Sequence, residues 1–338
     1  MKKILVILVL ITGLTACENQ KISFPDYKYS SGFFPYQYPV RTLVLGDYIY
    51  DNTNDNNHKF LISAALGGVR TNNLDRQFNI ALDPTLCNRV LFTSSLDTIR
   101  LMPANYYSLS SSDKIIIPKG QWNGDIEVQL TDAFFNDPLA IKNTYVIPMR
   151  LNTSLDVDTI LQGKPMAAGA DPRVVGQWVI VPKDFTMFAV KFINPYHGKY
   201  LHKGRSVVKD ASSTVLETTV YRKAFIEQNE IWSLVTTGKS QVSVQGALRS
   251  ALITGTLKML LTFADNGDCM IAQNVGSTYT ITGTGKFMTN ADQWGDKPRD
   301  AIYLNYQVTS GANTYYATDT LVVRDRAIVL ETFVPKIF

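Results

Sequence analysis

The stretch Asn290-Ala291-Asp292-Gln293-Trp294-Gly295-Asp296-Lys297-Pro298-Arg299-Asp300 gathers the residue types that sugar recognition requires. An indole offers a flat apolar face to the C–H side of a sugar ring, and carboxylate, amide and guanidinium groups offer planar hydrogen bonds to its hydroxyls. Trp294, Asp296 and Arg299 are therefore candidate ligand-binding residues. The competing reading has Trp294 plugging one end of a barrel while Arg299 and Asp300 pair structurally. Gln121-Trp122-Asn123-Gly124-Asp125 poses the same choice at a hairpin end. Residues 195–202 set two histidines five apart among tyrosines, so Tyr196, His197 and Tyr200 are further candidate ligand contacts, against a reading of packed loop aromatics. A metal would want more ligands nearby, and His58 is the one other histidine in the sequence. Asp51-Asn52-Thr53-Asn54-Asp55-Asn56-Asn57 places oxygen ligands at alternate positions, but it lacks the glycine and terminal glutamate of a calcium loop. It reads as a solvated turn. Arg324-Asp325-Arg326 reads as a turn or bulge with local ion pairs and no function.

The sequence holds no nucleophile elbow, zinc-protease motif, P-loop or dinucleotide fingerprint. Gly283-Thr284-Gly285 lacks the third glycine and lies between β-type runs, where glycines let a barrel strand coil. Glycoside hydrolysis needs two carboxylates about 5–10 Å apart across a cleft. Asp292 and Asp296 share one loop, which seldom supplies both faces of a sugar. The expectation is a non-enzymatic protein without metal or cofactor.

The chain opens Met1-Lys2-Lys3 and runs apolar from Ile4 to Leu14. That pattern is a secretory signal, too short for the roughly 20 apolar residues of a membrane span. It ends Leu14-Thr15-Ala16-Cys17, matching a bacterial lipobox: small residues fit the signal peptidase, and the Cys17 thiol accepts the lipid. Residues 1–16 are thus expected to be removed and Cys17 lipidated, with acyl chains enough for stable anchoring. Outer-membrane placement, on the cell surface or the periplasmic face, is the corresponding expectation; Glu18-Asn19-Gln20 is a weak form of an acidic surface-export patch.

Net charge is +4, and removal of Lys2 and Lys3 leaves +2. So balanced a chain gives no basic face for nucleic acid. Cys87 and Cys269 fall in separate halves and read as buried small residues rather than a disulfide.

Short β-type runs separated by turn chemistry fill the rest, and the expected fold is all-β. Residues 17–36 read as lipidated N-terminus and tether. Residues 37–152 carry about seven strands, including 40–50, 59–66, 77–82, 124–130 and 144–151, as in an Ig-like sandwich. Only residues 132–142 suggest a helical turn. Residues 153–175, with Pro165 and Pro172, read as a linker. Residues 176–338 form a long antiparallel meander with Asn266-Gly267 as a hairpin turn. A meander loses its edges by closing, so a lipocalin-like barrel is favoured over a second sandwich.

Tyr107, Ile115-Ile116-Ile117-Pro118-Lys119-Gly120, Ile126-Glu127-Val128 and Tyr145-Val146-Ile147-Pro148-Met149, preceded by residues 63–70, resemble an Ig-like, Calx-β-like domain of unknown function. That domain begins many Bacteroidetes surface lipoproteins. Residues 279–286, Trp294-Gly295 and residues 319–333 resemble the C-terminal domains those lipoproteins carry. The resemblance implies an accessory of a polysaccharide utilisation system, with glycan and outer-membrane glycan-import proteins as partners. It transfers no site residue. The two alternatives are a structural or adhesive lipoprotein that binds other envelope proteins, and a carrier of a small apolar ligand inside the barrel.

Overall fold

A computed structural model describes residues 26–338. The expected signal at 1–16, Cys17 and the first part of the expected tether lie outside the described residues.

The first domain is a sandwich of two sheets. One carries the strands Ser31–Phe33, Lys59–Gly67, Asn123–Leu130 and Tyr107–Leu109, with Thr159–Ile160 at its edge. The other runs Glu331–Thr332, Pro39–Val44, Phe185–Ile193, Tyr145–Ser154, Arg76–Leu82 and Lys114–Ile117, with Arg100–Leu101 beside Tyr145–Ser154. Alternation does the work in the outer strands: Ile126, Val128 and Leu130 turn inward while Glu127 and Gln129 do not. Phe60, Ile62, Phe78, Ile115, Ile147 and Phe192 meet between the sheets. The helical turn Asp132–Phe135 caps this core with Phe134 and Phe135.

The second unit is an antiparallel eight-stranded barrel. Gly198–Lys209, Glu230–Gly238, Gln241–Ala247, Thr256–Phe263, Asp268–Gln273, Thr280–Trp294, Lys297–Ser310 and Asn313–Asp325 pair in succession, and the last closes on the first from Lys199↔Asp325 to Lys209↔Thr314. Val215–Tyr221 extends the sheet outside the ring along Gly204–Lys209. The hairpin at residues 264–268 has Gly267 at φ +84 and closes with Ala264 N–H donating to Asp268 O; glycine's freedom is needed at that one position. Trp232, Tyr200, Tyr306, Tyr315, Met259 and Leu261 fill the interior. That filling removes the basis for the apolar-carrier reading.

The domain boundaries differ from those expected. Phe185–Ile193 was assigned to the second unit, yet it lies between Pro39–Val44 and Tyr145–Ser154 in the first. Buried on both faces, it reads as an apolar run broken only by Thr186 and Lys191, which carries no information about its partners. The expected linker stays with the sandwich: Thr159–Ile160 pairs with Ser31–Gly32, and Lys164–Pro165 forms a small hairpin with Trp178–Ile180. Residues 327–338 also return there. Glu331–Thr332 pairs with Pro39–Val40, Pro335–Ile337 pairs with Val90–Phe92, and Phe333 packs edge-on against Tyr38 and Phe92. The barrel is therefore inserted into the sandwich, and both crossings, at residues 194–197 and 326–327, lie side by side.

Candidate functional site

The returning crossing, at Arg326 and Ala327, lines a cleft of about 810 Å³ between sandwich and barrel. Three segments line it: the loop Asp47–Tyr50, the protruding hairpin around Asn290 and Pro298–Asp300, and the returning chain from Val323 to Val329, with Lys199 beside them.

The loop follows the strand Pro39–Val44, which ends six residues earlier than the apolar run suggested. Gly46, at φ +82 and against Pro195, turns the chain out of the sheet. Tyr48 and Tyr50 then meet edge to face with centroids 5.4 Å apart, and Ile49 and Tyr50 are largely exposed. The Asp51–Asn57 cluster behind the loop is structural. Asp55 is buried, accepts from Val44 N–H at 2.8 Å and pairs with Arg41, while Asn52 donates to the carbonyls of Val44 and Gly46. Burial raises the Asp55 pKa against those partners. Among the described residues no group of three or more His, Cys, Asp or Glu is placed to hold a metal.

Arg326 fixes the loop to the barrel. Its guanidinium donates to four main-chain carbonyls: His197 at 2.8 Å, Asp47 at 2.7 Å, Leu45 at 3.0 Å and Asn194 at 2.7 Å. The side chain is buried, and desolvation lowers its pKa. The expectation of local ion pairs holds for Arg324, whose Nε lies 3.8 Å from Asp325, and fails for Arg326, whose acceptors all lie far away in sequence. Asn194 completes the joint by donating to Gly238 O and Gln241 O.

On the opposite wall, Trp294-Gly295-Asp296-Lys297 is a two-residue turn with both central residues at positive φ, as a tight hairpin requires. A bulge between Met288 and Asp292 bends the hairpin back along the barrel. Lys203 Nζ holds Asp292 at 2.5 Å, and Tyr303 Oη donates to Ala291 O. The Arg299 guanidinium lies 4.8 Å from the Trp294 ring centre, and its Nε donates to Trp294 O. Among the described residues neither Arg299 nor Lys199 has a carboxylate at ion-pair distance. Asp300 accepts from Asn290 N–H, and burial, with Asp47 nearby, raises its pKa.

Of the six residues proposed from sequence, Arg299 lines the cleft. Trp294 supports it from behind, and Asp296 sits exposed at the hairpin tip. The other three pack the end of the barrel. Tyr200 is wholly buried, donating to Tyr196 O, so it cannot meet a surface ligand. Tyr196 stacks on Phe263 at 3.7 Å. His197 Nδ1 accepts from Thr236 N–H, and burial, with Arg326 and Lys191, pushes its pKa down to about 4. His202 points into the barrel instead, stacked on Trp232 and at ion-pair distance from Asp319 (3.0 Å) and Glu230 (3.3 Å). The two histidines thus share no site. Sequence reading missed the tyrosine loop because Val40–Tyr50 looked like one strand; Gly46-Asp47 was the signal that it turned.

A crystal structure of a Bacteroides ovatus protein of unknown function is 34% identical to this chain, covers 93% of it and all of its own length, and superposes with a TM-score of 0.85. The chain belongs to that protein's family. A family model for a domain of unknown function, DUF5627, matches residues 195–327, and a model described as an N-terminal domain matches 26–157. Their limits coincide with the barrel and with most of the sandwich. A multidomain Bacteroides ovatus protein that includes DUF1735 is 12% identical over 89% of this chain and 97% of its own, with a TM-score of 0.42, too low to carry an argument. Curated proteins gave no match.

Proposed function

We propose that the protein is a non-catalytic, lipid-anchored envelope protein that binds glycan in the cleft between sandwich and barrel. The observation that carries this reading is the cleft's composition. Tyr48, Ile49 and Tyr50 offer apolar and aromatic surface on one wall, and Arg299, Asp300 and Lys199 offer polar groups on the other. Saccharides are bound by that mixture, and the volume falls within the range of small-ligand sites. Rigidity favours it too, since Arg326 and the Lys203–Asp292 contact hold both walls before any ligand arrives. In this reading the lipobox at Cys17 supplies the anchor, and the sequence resemblance to Bacteroidetes surface lipoproteins motivates a role in glycan uptake with outer-membrane import proteins as partners.

The test is binding of the mature chain to a panel of host and plant oligosaccharides by calorimetry, with Tyr50→Ala and Arg299→Ala as probes. Each variant should keep the fold and weaken binding about tenfold or more, the equivalent of one lost contact of about 1.4 kcal/mol. Unchanged affinity in both variants, or no binding to any saccharide, refutes the cleft. Capture of an envelope protein that survives both substitutions would favour the adhesive alternative.

A further inference from the structure

The end of the sandwich farthest from the barrel is where the described chain begins. Asp26 accepts from Arg70 N–H at 2.6 Å, and Tyr27 N–H donates to Gly68 O at 3.1 Å. Asn72 donates to Pro118 O and Gln121 O, Leu66 N–H donates to Trp122 O, and Arg76 reaches both Asn72 and Asp156 O. These contacts bring the chain start, residues 66–76, the hairpin at 118–122 and the turn at 155–158 to one rim. The opposite end of the same sheets faces the barrel, where Asp132 pairs with Lys239 and Ile193 leads into the joint.

This rim displays exposed apolar and aromatic side chains. Leu155 is fully exposed and Tyr27 84% exposed, with Tyr29, Leu74 and Trp122 each more than two-fifths exposed. Lys28, with its ammonium 5.1 Å from the Tyr29 ring centre, and Lys119 stand among them with no ion pair among the described residues, whereas the neighbouring acids are engaged: Asp75 accepts from Lys119 N–H, Asp156 from Gln77 N–H and Asp158 from Ser30. Tryptophan and tyrosine with one apolar and one polar edge, aliphatic side chains and lysines are the chemistry of a membrane interface.

We propose that this rim rests on the bilayer surface, with Trp122, Tyr27 and Leu155 entering the headgroup region. The inference rests on lipidation of Cys17. Eight residues lie between Cys17 and Asp26, so over the nine steps, at about 3.3–3.6 Å per residue, the rim cannot be more than about 32 Å from the lipid. One acylated residue supplies attachment without orientation; the rim supplies the second contact, and it points the barrel and cleft away from the membrane.

The full chain, processed in cells, would be reconstituted into phosphatidylethanolamine–phosphatidylglycerol vesicles with brominated acyl chains, and its tryptophan emission compared with that in unbrominated vesicles. Quenching is expected in the native chain, lost in Trp122→Phe and kept in Trp294→Phe. If mass spectrometry finds the lipid and the protein floats with vesicles, yet bromine changes nothing, the rim proposal fails while the anchor stands. Quenching that persists in Trp122→Phe also refutes the rim. A chain without lipid overturns both.

Discussion

Arg326→Met tests whether one side chain couples the sandwich to the barrel. Methionine keeps most of the apolar stem and removes the guanidinium. Four carbonyls, of Leu45, Asp47, Asn194 and His197, then lose a charged donor at a buried joint. Leaving a buried acceptor unpaired costs about 1–3 kcal/mol, and four such costs do not add because water enters and the loop relaxes. We expect a net loss of about 3–5 kcal/mol, comparable to removing one partner of a buried charged contact. Lysine, with one compact ammonium in place of a fork, should recover less than half of it. Urea unfolding followed by tryptophan emission measures the loss. Hydrogen exchange over residues 44–50 measures whether the tyrosine loop comes free, and glycan affinity should fall with it. A loss below about 1 kcal/mol with unchanged exchange at 44–50 would refute the account, since solvated carbonyls at the joint would cost no more than that.

Further outcomes follow from the same structure. His197 has its pKa lowered to about 4 from 6.5; the folded state therefore resists a proton that the unfolded chain accepts. Its contribution is full above pH 6.5 and is lost as pH falls through about 4, and His197→Asn should flatten that part of a stability–pH profile. Phe333→Ala opens a cavity between Tyr38 and Phe92 and should cost about 3–5 kcal/mol in the sandwich; a loss confined to barrel amides by hydrogen exchange would contradict the insertion topology. At Gly204, a side chain would collide with the Asp319 carboxylate and Thr318 O, so Gly204→Ala should destabilise the barrel by about 1–3 kcal/mol in thermal unfolding. Cys17→Ser should release the protein from the membrane fraction on cell fractionation, and a variant that stays bound would remove the anchoring proposal.

Local chemistry in the sequence determined the all-β class, the sandwich-then-barrel order and most strands. Residues 124–130 announce a half-buried strand by alternation alone, and a meander that must hide its edges announces a barrel. Arg299 was legible as a polar group beside an aromatic face. The tertiary structure decided everything that depends on partners distant in sequence. Phe185–Ile193 belongs to the sandwich because a strand pairs along each of its edges and its two faces pack into separate apolar clusters, and a strand apolar on both faces names no neighbour. Arg326 looked locally paired because Asp325 adjoins it, yet its donors reach carbonyls on both sides of the joint. Tyr48 and Tyr50 face Arg299 only because the chain leaves the sandwich and returns to it beside the same loop. Sequence periodicity reports which face of an element is covered, and long-range pairing alone decides what covers it.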